Sequence, residues 1–288
     1  MSEPAILHLA DCLKGAPRLQ LLGPRSVDHV IADPPYSAYV HEKIRTGLTV
    51  SRRPGGSRLP ISAHADLGFA SLDADTRRRV ARAFGRIAKR WVLVFSDVEG
   101  SHLWRRDLEA AGLVYVRTGG WRREGGAPQF SGDRPAQAFD AIVICHQAGE
   151  KLRWNGGGRP AFWSCPTAID RDKSGRDKRE HPTQKPLELM RALVRDFTDP
   201  GELVCDPFAG AASTGVAAVE LGRSFLGWER EEKWHRAAKR RLSAARYQTE
   251  ILWPLWRARR RRRQARPHQV EIPATALEAP PAAPECAA

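Results

Sequence analysis

The sequence contains no Cys-x-x-Cys pair, no Gly-x-Gly-x-x-Gly turn, no Gly-x-x-x-x-Gly-Lys-Ser/Thr loop and no internal repeat. Nor does any apolar run approach the roughly 20 residues that cross a bilayer. Each absence removes a class. Without paired cysteines, the five thiols at positions 12, 145, 165, 205 and 286 fit neither a zinc ribbon nor a dithiol redox centre. They read as buried free thiols in a reducing cytosol. Without the two glycine-rich loops, a dinucleotide or nucleoside triphosphate loses its usual cradle. The first residues carry Glu3 and Pro4 but no basic start followed by an apolar run, so no secretory signal is expected. Lysine is scarce too: of the 47 Lys and Arg only 9 are Lys. That bias fits a GC-rich genome as well as a nucleic-acid partner.

The 288 residues suffice for one large or two small domains with a core that needs no disulfide or metal staple. The formal net charge is +14, which points to a polyanionic partner. Residues 236–268 hold 12 Lys or Arg against the single acid Glu250, a balance of +11 that leaves +3 for the rest. The globular part is therefore expected to be near neutral and the tail basic.

Seven short apolar runs read as strands: Ile6–Leu9, Val27–Ala32, Trp91–Phe95, Leu113–Arg117, Phe139–Cys145, Leu203–Cys205 and Ser224–Trp228. Helical spacing lies between several of them, over Asp75–Lys89, Ser101–Ala111, Pro186–Phe197 and Ala211–Leu221. Alternating strands and helices predict an α/β fold with a mainly parallel sheet. Leu113–Cys145 reads instead as a hairpin at the sheet edge. Residues 38–72 and 148–180 are polar and loop-like. From about residue 257 an Arg run gives way to a Pro/Ala tail expected to be disordered.

Three motifs carry chemistry. Asp33-Pro34-Pro35-Tyr36 follows the run ending at Ala32, at a strand's carboxyl end, where open α/β sheets bind ligands. An exocyclic base amine is a poor nucleophile because its lone pair is delocalised into the ring. A carboxylate and a backbone carbonyl can accept its two N–H bonds and favour a tetrahedral nitrogen. Proline fixes the direction of the carbonyls that follow, and an aromatic ring can stack on the base. The tetrapeptide alone also fits a surface turn. The second motif, Leu203-Val204-Cys205-Asp206-Pro207-Phe208-Ala209-Gly210-Ala211-Ala212-Ser213-Thr214-Gly215, reads as strand, small-residue turn and helix, which lets backbone approach a ligand. About nineteen residues beyond Gly210, Glu229 closes the next strand, suited to ribose hydroxyls. The third, His181-Pro182-Thr183-Gln184-Lys185-Pro186, offers a hydroxyl and a cation for a carboxylate. It fits helix capping with a solvated lysine equally well.

Read together and in this order, the motifs resemble the amino-methyltransferases of bacterial restriction–modification systems and phages. The catalytic motif precedes the cofactor motif, which is similar to the circularly permuted β group of that family. The resemblance spans about residues 5–245. It weighs against protein-glutamine and ribosomal-RNA guanine methyltransferases, which usually place the cofactor motif first.

The resemblance implies a Rossmann-like S-adenosylmethionine-dependent methyltransferase fold. This is an α/β, seven-stranded, mostly parallel sheet with one antiparallel strand, in the order 3-2-1-4-5-7-6. It implies a domain over 1–250, with 38–72 as an insertion and 148–180 as the target-recognition stretch, and a separate tail over 251–288. Asp33, Pro34, Pro35 and Tyr36 would match the catalytic loop, with Asp33 also facing the cofactor. Asp206, Phe208 and Gly210 would match the cofactor loop, Glu229 the ribose acid, and Asp11 the acid facing the cofactor's adenine. Thr183 and Lys185 would face the cofactor's carboxylate. One departure stands out: Gly210-Ala211-Ala212-Ser213-Thr214 replaces the family's frequent Gly-Ser-Gly-Thr-Thr, and alanines, being small, are expected to be tolerated.

The implied activity is methylation of adenine N6 in a flipped-out base of double-stranded DNA, with cytosine N4 as the alternative and a non-catalytic nucleic-acid-binding protein as a second. The implied setting is the cytoplasm, on the nucleoid. The protein would be a monomer or homodimer, with a cognate restriction endonuclease as a possible partner and no metal or membrane. The Arg257–Arg263 run fits either a solvated end or an arm on phosphates.

Overall fold

A computed structural model of the chain describes residues 4–14, 18–36, 72–125, 135, 137–166 and 184–247. Thr183, most of the 38–72 insertion, residues 167–180 and the 251–288 tail lie outside the described residues.

Among the described residues, eight strands form one sheet: β1 (Ala5–Leu9), β2 (His29–Ala32), β3 (Trp91–Ser96), β4 (Leu113–Glu124), β5 (Phe139–Gln147), β6 (Phe162–Pro166), β7 (Leu203–Asp206) and β8 (Ser224–Glu229), ordered β1-β8-β7-β2-β3-β5-β4-β6. β5 runs antiparallel to both of its neighbours, and every other pairing is parallel. With β7 counted as strand 1, the first seven positions reproduce the implied order 3-2-1-4-5-7-6. β6 is an eighth strand inside the stretch expected to be loop. Its Phe-Trp-Ser-Cys-Pro alternates exposed and buried residues, with Trp163 and Cys165 inward. The hairpin of β4 and β5 forms as expected, but β6 takes the edge beyond it.

The central strands are buried on both faces, as parallel strands between helices must be. Along β3, Trp91, Leu93 and Phe95 join one core with Ile142 and Ile144 of β5. Val92 and Val94 join the other with Val143 and Cys145. α1 (Ala74–Ile87) and α2 (Ser101–Ala110) cover the second core through Val80, Phe84, Ile87, Trp104 and Leu108. α3 (Leu187–Phe197) and α4 (Ser213–Glu220) cover the first through Met190, Leu193, Val194, Phe197 and Val216. Asp73 caps α1, its Oδ1 accepting the Thr76 N–H at 2.8 Å. Beyond α2, Gly112 turns the chain at a φ of 87°, a conformation glycine adopts without strain.

Residues 232–247 form a further helix, α5, packed through His235, Ala238, Leu242 and Ala245. This corrects the expected charge distribution. Arg236, Lys239, Arg240, Arg241 and Arg246, five of the basic residues counted with the tail, belong to a folded helix. The four described cysteines, Cys12, Cys145, Cys165 and Cys205, are buried and free. No helix among the described residues is long and apolar enough to cross a membrane, and no group of three metal-ligating side chains occurs among them.

Candidate active site

Four neighbouring parallel strands each deliver an acid at or just past their carboxyl ends: Asp11 beyond β1, Glu229 on β8, Asp206 on β7 and Asp33 beyond β2. The register sets them side by side. Cys205 pairs with Val30 across β7 and β2, Asp206 with Gly227 across β7 and β8, and Glu229 with Leu9 across β8 and β1.

Asp206 is buried. Thr214 Oγ1 donates to its Oδ2 at 2.6 Å, and the Phe208 N–H donates to Oδ1 at 3.0 Å. Burial pushes this carboxyl up to about 7 against those two hydrogen bonds, and the Asp33 and Glu229 charges push the same way. Burial also raises Glu229, offset in part by the backbone N–H groups of Glu231 and Gly210, the Glu231 N–H lying 2.7 Å from Oε1. Asp11 caps its own turn, with Oδ1 accepting the Leu13 N–H at 2.8 Å.

The turn between β7 and α4 is tight. Gly210 takes a φ of 51° and Ala212 a φ of 55°. Ala212 is where the resembled family often carries glycine. A left-handed alanine costs about 1–2 kcal/mol, so the substitution is accommodated with backbone strain.

At β2 the backbone passes from buried Ala32 through partly buried Asp33 to buried Pro34. Lys185, just ahead of α3, donates from Nζ to both Asp33 oxygens at 2.7 Å and to the Tyr36 hydroxyl at 3.1 Å. Its ammonium also lies 5.1 Å from the Tyr36 ring centre and 5.0 Å from that of Phe95. Burial raises the Asp33 carboxyl above its ordinary value, and Lys185 is the chief force pulling it back. Tyr36 is raised well above the ordinary phenol by burial and by the Asp33 and Asp140 charges, so it stays protonated. The resemblance implies that Lys185 faces a cofactor carboxylate. In the structure its ammonium is paired with the carboxylate of Asp33.

Two further polar groups of this site lie outside the sequence motifs. Asp140 Oδ2 accepts the Tyr36 hydroxyl at 3.1 Å, and Asp140 Oδ1 pairs with the Arg123 guanidinium. A lone acid and a lone arginine in separate strands give no local signal.

The profile of a family described as DNA methylase, named for N6 and N4 methyltransferases, matches residues 91–240. Among curated relatives, YubD of Escherichia coli (strain K12) is 44% identical over 89 residues, 30% of this chain and 38% of that protein. The type II methyltransferase M.HinfI of Haemophilus influenzae is 26% identical over 253 residues, 81% of this chain and 66% of that protein. The chain thus spans less than two thirds of the length of either. Among solved structures, the M1.HpyAVI–SAM complex superposes with a TM-score of 0.58 at 21% identity, covering 83% of this chain and 98% of that one. That likeness shows the shared fold.

Proposed function

The chain belongs to the N6/N4 DNA methylase family, and from that premise we propose that it transfers a methyl group from S-adenosylmethionine to the N6 amino group of adenine in double-stranded DNA. The observation that carries the reading is the pairing of two turns on adjacent strands. Asp33-Pro34-Pro35-Tyr36 leaves β2 beside the Asp206–Ala212 turn that leaves β7. The motif order, catalytic before cofactor, supports assignment to the permuted β group. We assign the methyltransferase domain to 1–250 and treat 251–288 as a basic arm.

The acids fit the cofactor chemically. S-adenosylmethionine is cationic at sulfur and carries ribose hydroxyls, an adenine amine and an α-amino group, all suited to carboxylate acceptors. Glu229 would take the ribose, Asp11 the adenine, and Asp206 with the Phe208–Gly210 turn the amino-acid end, joined by Thr183. When bound, the cofactor supplies an electrophilic methyl on a sulfonium.

The chain's own part is positioning. A flipped base would stack on the Tyr36 ring. Asp33 and the Pro34 carbonyl would accept its two amino hydrogens and turn the nitrogen lone pair out of conjugation. The Lys185 ammonium favours the ionised form of Asp33 against burial, and in that form the acid would meet the amine as an acceptor. Strong basicity is not required of it, since the methylated amine becomes acidic and sheds its proton late. Pro35 stiffens the loop.

The family also includes N4-cytosine enzymes, and Asp at position 33, where they tend to carry Ser, favours adenine. The test is to incubate the purified protein with S-adenosylmethionine and unmethylated plasmid DNA and resolve the digested nucleosides by mass. N6-methyldeoxyadenosine is expected. N4-methyldeoxycytidine would move the target to cytosine, and no methylated nucleoside would reject the reading.

A further inference from the structure

The Tyr36 hydroxyl is held at the end away from the backbone by two groups, Lys185 of the third motif and Asp140, which lies outside every motif. It lies 3.1 Å from Lys185 Nζ and 3.1 Å from Asp140 Oδ2. A lysine ammonium can only donate and an ionised carboxylate can only accept. The phenol therefore accepts from Lys185 and gives its single proton to Asp140, and no other arrangement satisfies all three groups.

Topology explains how Asp140 reaches the site. β5 is the antiparallel strand, so its first residues arrive where the parallel strands end. Asp140 is 2% exposed. Burying a carboxylate there is costly unless it is paired, and Arg123, near the end of β4, supplies the pair through Asp140 Oδ1. β4 and β5 are already joined along their backbones, so the ion pair is not needed to hold the strands together. Its second oxygen is turned towards Tyr36.

We propose that Asp140 is a positioning residue for the methyl-transfer site: clamped by Arg123, it fixes the Tyr36 ring as one wall of the base pocket and, through the phenol, fixes the lysine that pairs with Asp33. Asp140 acts through Tyr36 and does not itself meet the base, and the proposal rests on the methyl-transfer reading above.

The experiment is a double-mutant cycle on single-turnover methyl transfer to unmethylated plasmid DNA, using wild type, Asp140→Asn, Tyr36→Phe and the double variant. Loss of orientation in Asp140→Asn is expected to slow transfer by about ten- to a hundredfold, while S-adenosylmethionine affinity measured by calorimetry stays within about twofold, the spread of independent sites. In the Tyr36→Phe background the hydroxyl is already gone, so adding Asp140→Asn should change the rate by less than about threefold. A wild-type rate in Asp140→Asn, or an equal loss in both backgrounds, overturns the proposal, the second result marking a purely structural role. Should Asp140→Asn fold poorly, Tyr36→Phe alone decides: it must lose a comparable factor, and a wild-type rate in it overturns the proposal. A wild-type protein that transfers no methyl group is a separate outcome, and it removes the reading on which the proposal stands.

Discussion

Lys185 Nζ stands 2.7 Å from each carboxylate oxygen of Asp33, tying the segment ahead of α3 to the turn after β2 across 152 positions of sequence. Burial pushes Asp33 up and Lys185 pulls it down. The ammonium thus favours the ionised form, the form in which the acid would accept the amine's hydrogens in the proposed chemistry. Replacing Lys185 by Met removes that pull while keeping side-chain length. The acid limb of the kcat/KM profile is expected to move to higher pH, with activity at neutral pH reduced. Profiles of both proteins over about pH 3.5 to 9, bracketing ordinary and raised carboxyl values, check this. An unmoved acid limb would uncouple Lys185 from Asp33.

Asp206 gives a second pH dependence. Its carboxyl is raised to about 7 in the folded protein, mainly by burial, against about 3.9 in an unfolded chain. A group raised on folding stabilises below its unfolded value, and that contribution is lost as pH climbs through the folded value. The unliganded protein should therefore lose melting temperature from this group between about pH 4 and 7. A cationic cofactor favours the ionised form, so its affinity should rise over the same interval. Asp206→Asn should flatten both curves, checked by thermal unfolding and calorimetry in parallel. Asp206→Ala is the harsher change, because it strips the acceptor from Thr214 and from the Phe208 N–H at about 1–3 kcal/mol for each buried group left unsatisfied.

Much of this site is legible in the sequence because its parts are local. Asp33 and Tyr36 share a tetrapeptide after an apolar run, and Asp206, Phe208 and Gly210 share a strand-to-helix turn. What the sequence hides is long-range or disguised. Lys185 stands out in its motif, but nothing in HPTQKP points back to residue 33. Asp140 and Arg123 look like unrelated charges until antiparallel pairing brings their strands together. β6 is hidden because Trp163 and Cys165 are its only buried residues, between a glycine run and Pro166. α5 is hidden by its own charge, although His235, Ala238, Leu242 and Ala245 repeat at helical spacing.

The attachment of β6 depends on Gly119. A Cβ at this position would stand 2.4 Å from the Ala161 carbonyl oxygen, a backbone atom that cannot swing aside. Gly119→Ala should cost about 1–3 kcal/mol through overpacking. The melting temperature would fall by about 2–4 °C per kcal/mol in a domain of this size. An unchanged melting curve would mean that β4 and β6 separate without cost.

The arm after Tyr247 should act through charge alone. Truncation there removes Arg257, Arg259–Arg263 and Arg266. Each phosphate that these arginines no longer neutralise lowers the slope of log affinity against log salt by about 0.9. Binding to all duplexes should weaken alike and the methylated motif should not change, because interactions with phosphate carry no sequence information. Truncation after Trp256 separates the arginines from Trp253 and Trp256. An unaltered salt slope in that shorter cut would make the arm a bystander, and a changed motif would make it a reader of bases.

In the proposed chemistry, Asp33 would face the target amine at a site that would also bind S-adenosylmethionine. Wild type and Asp33→Ala, each purified and shown to fold, should be compared for N6-methyldeoxyadenosine formed in unmethylated DNA and for cofactor affinity by calorimetry. Asp33→Ala is predicted to form no detectable methylated base while binding the cofactor within about tenfold of wild type, or ~1.4 kcal/mol. Transfer by Asp33→Ala at more than about a tenth of the wild-type rate, a barrier change under ~1.4 kcal/mol, would contradict that role.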